Sequence, residues 1–475
     1  MPVNEEYFNS EDFQELLNSY EASMNDGTQP FMDADSLVDI ADYYNMHGNA
    51  DKALNVIEYA LELYPYATLP NVFMARHALM QGDFQQAHEY ASHIEERDDP
   101  DYHYLQAEIL IAEGHIDEAD RYLRDYGMTV AIDEYEDFIK DCANLYVDYS
   151  ISDKAYEWMM RSKGDDSTDF KELMARTLFG LEKYKDSERI FNELLDTDPY
   201  SAKYWKALAG VQLMAEDYGN ALTSSEYAIA IDPDDSEGIL CKANALLQLN
   251  NYEEAEKYFR RYTESEPDNE SGLFHQGLCL IYMGKHQEAL QVLQQAEQVS
   301  ASDPLLLATI YQEQALCYSS LKQPQKAIEM LDKAIPMTDD QENLLFLKGH
   351  IMLQNDLLRE AGETWKEAIT RSNSSPAIIM CIVSSLYENH YIGPCYIFLK
   401  QFHKTYENDA AYASEGYSYL ALCCHDLGHQ EKFLKYLQKA VERDHKVAKS
   451  LLGFLFPPDT DVSDYYNYMS YYLNQ

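Results

Sequence analysis

The sequence predicts an all-α solenoid of about twelve helix-turn-helix repeats, and three observations predict it. Pro199, Pro233 and Pro267 stand 34 residues apart, each directly after an acidic residue. Ala221, Ala255 and Ala289 keep the same spacing, and so do Tyr184, Tyr218 and Tyr252. Three residue types in one register mark a supersecondary unit that is copied along the chain.

One unit shows the logic. From Ala202, the residues Trp205, Leu208, Ala209, Gln212 and Leu213 fall at helical spacing, and a break follows at Asp217 to Gly219. A second periodic run carries Ala221, Ala228 and Ile229 and stops at Asp232-Pro233. Small residues where the two helices cross allow a close approach, while larger ones fill the grooves between neighbours. Extending the register places units near residues 34, 68, 100, 136, 168, 202, 236, 270, 308, 342, 376 and 414. The first-helix slot is small in all but one, from Ala41, Ala75 and Ala107 through Gly277 and Gly349 to Ala421. The second-helix slot runs from Ala53 and Ala87 through Ser187 to Ala361. Gly48, Gly82, Gly114, Gly284 and Gly428 are assigned to the turn inside the unit, where a left-handed backbone is needed. The unit near 376 fits worst, with Val383 and Cys395 in the two slots.

The run Trp205-x-x-Leu208-Ala209-x-x-Gln212, followed by Tyr218-x-x-Ala221, Ser225-x-x-Ala228 and Pro233, resembles the tetratricopeptide repeat family. The resemblance extends over roughly residues 34–447 and implies a right-handed superhelix whose first helices line a concave, ligand-binding face. Residues 1–33 are expected to hold an N-terminal capping helix, 34–447 the array, and 448–475 a C-terminal capping helix with a Tyr-rich tail. Ser10 to Met24 suits the first cap, since Ser10 precedes two acids and Phe13, Leu16, Leu17, Tyr20 and Met24 form one stripe. Val447 to Phe456 reads as a short apolar helix stopped by Pro457-Pro458. Beyond it, Tyr465, Tyr468 and Tyr472 share a helical face placed to dock into a groove, a frayed terminus being the alternative.

Composition narrows the function. The 475 residues carry 36 basic and 83 acidic side chains, a net charge of −47. Such a chain repels phosphates and anionic lipids, so neither nucleic acid nor membrane is expected as a partner; basic partners are favoured, and solubility is served in any case. The acidic N-terminal stretch lacks the basic start and apolar run of a secretory signal, and no segment is apolar enough to span a bilayer. Eight cysteines without a CxxC pair read as reduced packing residues, and the expected compartment is cytoplasmic.

Catalytic patterns are missing. No phosphate-binding GxxxxGK, dinucleotide GxGxxG or nucleophile-elbow GxSxG occurs. His88 and His93 are five residues apart, about 140° around a helix, and cannot share a metal. His425 and His429 flank a turn glycine, and Cys423 and Cys424 fit core positions. Neither an enzyme, a cofactor nor a metal is expected.

The first-helix face carries the candidate binding residues. Asp35, Asp101, Asp137, Asp169, Glu237 and Glu415 occupy the second position of successive units, and Asp42, Glu108, Asp148, Glu388 and Asp426 lie further along the same face. The functional reading is an acidic channel for a basic or amphipathic protein segment. The alternative is that acids simply favour the first turn of a helix, which leaves the later ones unexplained. One branch of the family grips carboxylates with a clamp of Lys and Asn, and Lys140, Asn144 and Lys203 match three of its donors. Leu173 and Ala207 replace two others, so that Lys140, Asn144, Lys203 and Lys206 are expected to form at most a local spot tolerant of anions. Tyr104, Tyr282 and Tyr387 are candidate aromatic anchors. Together these readings give a non-enzymatic scaffold that binds protein segments. A module self-associating through its ends or tail, or an accessory subunit of an enzyme complex, are the alternatives.

Overall fold

A computed structural model describes residues 5–28, 30–300, 302–406, 416–443 and 445–473. The chain divides into two compact units, Met1–Pro233 and Asp234–Gln475. Among the described residues every regular element is helical.

The first unit opens with α1 (Glu5–Phe8) and α2 (Glu11–Asn25), the latter capped by Ser10, whose side chain accepts from the Phe13 N–H. Six hairpins follow: α3 (Ala34–Met46) with α4 (Ala50–Leu63), α5 (Thr68–Met80) with α6 (Phe84–His93), α7 (Pro100–Ala112) with α8 (Ile116–Gly127), α9 (Tyr135–Asp148) with α10 (Ser152–Met159), α11 (Thr168–Gly180) with α12 (Tyr184–Thr197), and α13 (Ala202–Met214) with α14 (Tyr218–Ile231). The second unit repeats the plan with α15 (Ser236–Gln248) and α16 (Tyr252–Ser265), α17 (Glu270–Tyr282) and α18 (His286–Val299), α19 (Pro304–Ser320) and α20 (Pro324–Ala334), α21 (Gln341–Gln354) and α22 (Leu358–Arg371), α23 (Pro376–Glu388) and α24 (Ile392–Thr405), and α25 (Tyr417–Asp426) and α26 (Gln430–Arg443). It closes with α27 (His445–Leu452) and α28 (Tyr465–Leu473). Within each unit a second helix packs on the first helix of the next hairpin, and first helices such as α3, α5, α7, α9 and α11 also touch in succession.

The crossing slots are where the spacing put them. Ala41, Ala75, Ala107, Ala143, Ala175, Ala209, Ala243, Ala315 and Ala421 in the first helices are fully buried. Their partners, among them Ala87, Ala119, Ser187, Ala221, Ala289 and Ala361, are buried too. Two slots are glycine because their neighbours are large: a Cβ on Gly277 would meet Leu293 at 2.7 Å, and one on Gly349 would meet the Trp365 indole nitrogen at 2.2 Å. That indole in turn donates to the Phe346 carbonyl at 3.0 Å. In the hairpin of α23 and α24, Val383 and Cys395 fill the slots completely, and these two helices make less intimate contact than any other described hairpin. An apolar groove of about 460 Å³ opens beside them, with Trp365, Ile369, Ile379 and Phe398 among its walls.

Every hairpin turns through one residue with positive φ. Glycine provides it at Gly48, Gly82, Gly114, Gly284 and Gly428, and Ser150, Glu182, Glu216, Asn250, Lys322, Asp356 and His390 provide it elsewhere. The residue after it donates back across the helix end, as Asn49 N does to Tyr44 O at 2.8 Å and Asn251 N to Leu246 O at 2.9 Å.

At the C-terminal end, of Tyr465, Tyr468 and Tyr472 only Tyr465 is buried. The row that docks α28 is Tyr465 with Met469, and Tyr465 stacks on Phe456 at 3.8 Å and 7°.

Two glycine substitutions separate the slot from the helix surface. Gly349→Ala is expected to destabilise by about 1–3 kcal/mol through overpacking against Trp365. Gly210→Ala, on α13 with nothing within 4 Å of the added Cβ, is expected to stabilise by about 0.5–1 kcal/mol. Denaturant midpoints check both, and equal stability of Gly349→Ala and the parent contradicts the slot.

Candidate functional site on the first helices

In the first unit, acids recur on α3, α7, α9 and α11 at one- and two-turn intervals: Asp35, Asp39 and Asp42; Asp101 and Glu108; Asp137, Asp141 and Asp148; Asp169 and Glu172. Residues three, four and seven apart share a helix face, so each helix presents its acids as a row. Side chains across neighbouring helices tie part of this surface together. The Tyr7 hydroxyl donates to Asp39 at 2.6 Å, and the Tyr104 hydroxyl to Asp141 at 2.9 Å. Arg76 on α5 pairs with the buried Glu108 at 2.8 Å, and Tyr149 reaches the other oxygen of Glu108 at 3.4 Å.

Asp42, Asp101 and Asp141 are the chemically distinctive members. Desolvation raises the pKa of all three, with Asp39 adding to it at Asp42 and Asp99 at Asp101. Asp141 is exposed and accepts from the Tyr104 hydroxyl, which offsets part of the desolvation. Arg76 faces Asp42 and Asp101, but its ion pair is with Glu108. Beside these acids lies a cavity of about 630 Å³ with Val38, Leu54, Phe73 and Met80 among its apolar walls and Asp39, Asp42, Arg76 and Asp101 at its edge. An apolar hollow rimmed by crowded carboxylates suits a side chain that is apolar next to one that is cationic.

Asp35, Asp101, Asp137, Asp169 and Glu237 each sit in the first turn of a first helix, where the helix dipole also favours them. The cap position itself belongs to others, since Asp33, Asp99, Ser167 and Asp235 accept the backbone bonds. Glu415 lies outside the described residues. The donors read as anion-tolerant are engaged by acids. Lys140 pairs with Asp137 at 2.8 Å and Asp165 at 3.7 Å. Asn144 donates to Asp148 at 3.4 Å and accepts from Arg176 at 3.2 Å. Lys203 pairs with Glu172 at 2.5 Å. Lys206 lies on α13 with Lys203.

The second unit presents different chemistry. Tyr387 donates to Asp426 at 2.7 Å and packs edge-on against Tyr419, whose hydroxyl donates to Ser384 at 3.1 Å. Tyr282 is exposed and stacks on Tyr252 at 4.8 Å. The sequence reading missed Tyr7, Asp39, Arg76 and Asp141. The row of acids at one-turn intervals was available to find the two aspartates, whereas the Arg76–Glu108 pair spans neighbouring repeats and has no local signal. No group of histidines, cysteines or acids able to hold a metal occurs among the described residues, and no described helix is long and apolar enough to cross a membrane.

Paired helices crossing at small slots, with left-handed turns, define a helical-hairpin repeat protein. Family models for the tetratricopeptide repeat match residues 45–109, 173–236 and 270–340, and a model for anaphase-promoting complex (cyclosome) subunit 3 matches residues 214–296. Residues 45–109, 173–236 and 270–340 are thus tetratricopeptide repeats. It is 21% identical over 207 residues to anaphase-promoting complex subunit 3 of Schizosaccharomyces pombe, covering 44% of this chain and 30% of that one. To a protein STIP1 homolog of Dictyostelium discoideum it is 28% identical over 111 residues, 23% of this chain and 20% of that one. It thus spans under a third of the length of these relatives. Among solved structures it is similar to the Cut9–Hcn1 hetero-tetramer of the APC/C (15% identity, 94% and 93% of the chains, TM-score 0.36) and to YrrB, a TPR protein with an unusual peptide-binding site (21%, 41% and 96%, TM-score 0.35).

Crowding of the carboxylates has a stability signature. A carboxyl whose pKa is raised by folding is harder to ionise in the folded chain. Its stabilisation is therefore complete below the ordinary carboxylate range, about 4, and is lost as pH rises through the folded value. The double variant Asp42→Asn, Asp101→Asn is expected to melt higher than the parent at pH 7, with the gap closing as pH falls toward about 4. A variant that melts lower at pH 7 contradicts the crowding.

Proposed function

We propose that the protein is a non-catalytic interaction scaffold whose first-helix face in the first unit binds a basic, amphipathic segment of a partner protein. The observation that carries this is the placing of Asp39, Asp42 and Asp101 at the edge of an apolar cavity, with the Asp141 charge adding to the crowding at Asp101, while Arg76, which faces Asp42 and Asp101, is committed to Glu108. An apolar side chain of the partner enters between Leu54, Phe73 and Met80, and a neighbouring Lys or Arg relieves the mutual repulsion of the acids. Asp137 and Asp169 extend the acidic track along α9 and α11, with Asp35 at its other end on α3. In the second unit, Glu237, Tyr282 and Tyr387 offer a sparser surface for a more apolar segment. The name of the fission-yeast relative supports a place in a multi-subunit assembly, and eight free thiols are consistent with a reducing compartment such as the cytoplasm.

Fluorescence anisotropy with a labelled amphipathic Leu/Lys peptide tests the site. The parent is expected to bind it, more weakly as salt rises, and to ignore the Leu/Glu counterpart. The triple variant Asp42→Lys, Asp101→Lys, Asp141→Lys is expected to lose at least about tenfold in affinity. The control Glu58→Lys, Glu62→Lys, Glu89→Lys changes the net charge equally on the second helices α4 and α6, and is expected to keep most of the affinity. Equal losses in both variants contradict the site.

A further inference from the structure

We propose that the C-terminal end of the second unit is a surface on which two copies of this chain pair. In the hairpin of α25 and α26 the helices are joined by a short turn at Gly428, so α26 ends beside the start of α25. α27 begins two residues later and packs on both, in the place of a further first helix. It runs for only 8 residues where α13, α15 and α17 run for 13, and the chain then turns through Gly453–Leu455 into Pro457-Pro458. Among the described residues this short helix is the one that packs closely on the outer side of α25. α28, lying on α26, walls the other side. Between them is a hollow of about 440 Å³ lined by Cys424, His425, Phe433, Tyr468, Met469 and Tyr472. The surface on which each hairpin receives the next therefore continues into this hollow.

The rim is aromatic and exposed. Tyr468, Tyr471 and Tyr472 form one arc of α28 and are 41%, 72% and 65% exposed, and Phe454 nearby is 72% exposed. A cap that only ended the array would present a polar outer face.

Charge selects the occupant. α28 reads YYNYMSYYL and has no charged residue. Residues 445–473 hold Lys446 and Lys449 against Asp459, Asp461 and Asp464, so 2 − 3 gives −1, and −47 + 1 leaves −46 on the rest of the chain. A cationic partner is drawn to that remainder, whereas a second copy is repelled by nearly all of it. The neutral aromatic end is where like-charged copies meet at least cost. An arc beside a hollow is also self-complementary about a two-fold axis: Tyr471 of each copy enters the hollow of the other and packs on the Tyr472 that lines it.

Sedimentation velocity of the full chain over a range of concentrations, at low salt and at about 0.5 M salt, tests this. The parent is expected to show a monomer–dimer equilibrium that salt strengthens, because screening relieves repulsion between the acidic bodies. The double variant Tyr471→Glu, Tyr472→Glu is expected to weaken the dimer at least about tenfold with unchanged helicity and melting midpoint, and Tyr471→Phe, Tyr472→Phe to retain it. A parent that stays monomeric at high salt, a dimer that salt dissolves, or a glutamate variant that pairs like the parent overturns the proposal.

Discussion

Two helices can cross closely only where neither places bulk at the crossing point, and this constraint is met hairpin after hairpin by a pair of small buried residues. Ala209 with Ala221 is the plain case. Gly349 shows how the sum is kept constant: the partner helix brings Trp365, so its own slot gives up even a methyl group. The close crossing then sets the other features. A tight hairpin needs a helix end that turns back within about three residues, hence one left-handed residue per turn even where it must be Glu216 or Lys322. In the first unit the first helices α3, α5, α7, α9 and α11 also touch in succession.

The exception argues the same point. Val383 and Cys395 occupy the slots of α23 and α24, these two helices pack less intimately than those of any other described hairpin, and an apolar groove lies beside them. The energetic logic is that of overpacking: extra methyl groups in a closed site are accommodated by backbone displacement.

Much of this was legible because it is periodic. The slots, the first-helix starts at 34, 68, 168, 202, 236, 270 and 376, and the Ser10 cap follow from spacing and capping chemistry alone. The helix expected near 308 begins at Pro304, since Asp303 caps Leu305 and Leu306 and proline suits a first turn. Seven of the left-handed turn positions were not legible, because a non-glycine residue carries no mark of the backbone that its helix end imposes. The site was less legible than the fold. Pairs such as Arg76–Glu108 and Lys140–Asp165 join different repeats or a repeat and its loop, and local pattern holds no information about them. Lys140 read by itself is a donor for an anion; read with Asp137 and Asp165, it is already neutralised. The docking of α28 through Met469 instead of Tyr472 likewise depends on where α26 lies.

Native-state hydrogen exchange followed hairpin by hairpin tests the central constraint most directly, because it reads the local opening free energy of each crossing. Amides of α23 and α24 are predicted to exchange by a lower-energy opening than those of α13 and α14, in proportion to the looser crossing at Val383 and Cys395. Equal protection in the two hairpins would contradict the claim that the small slots hold the repeats together.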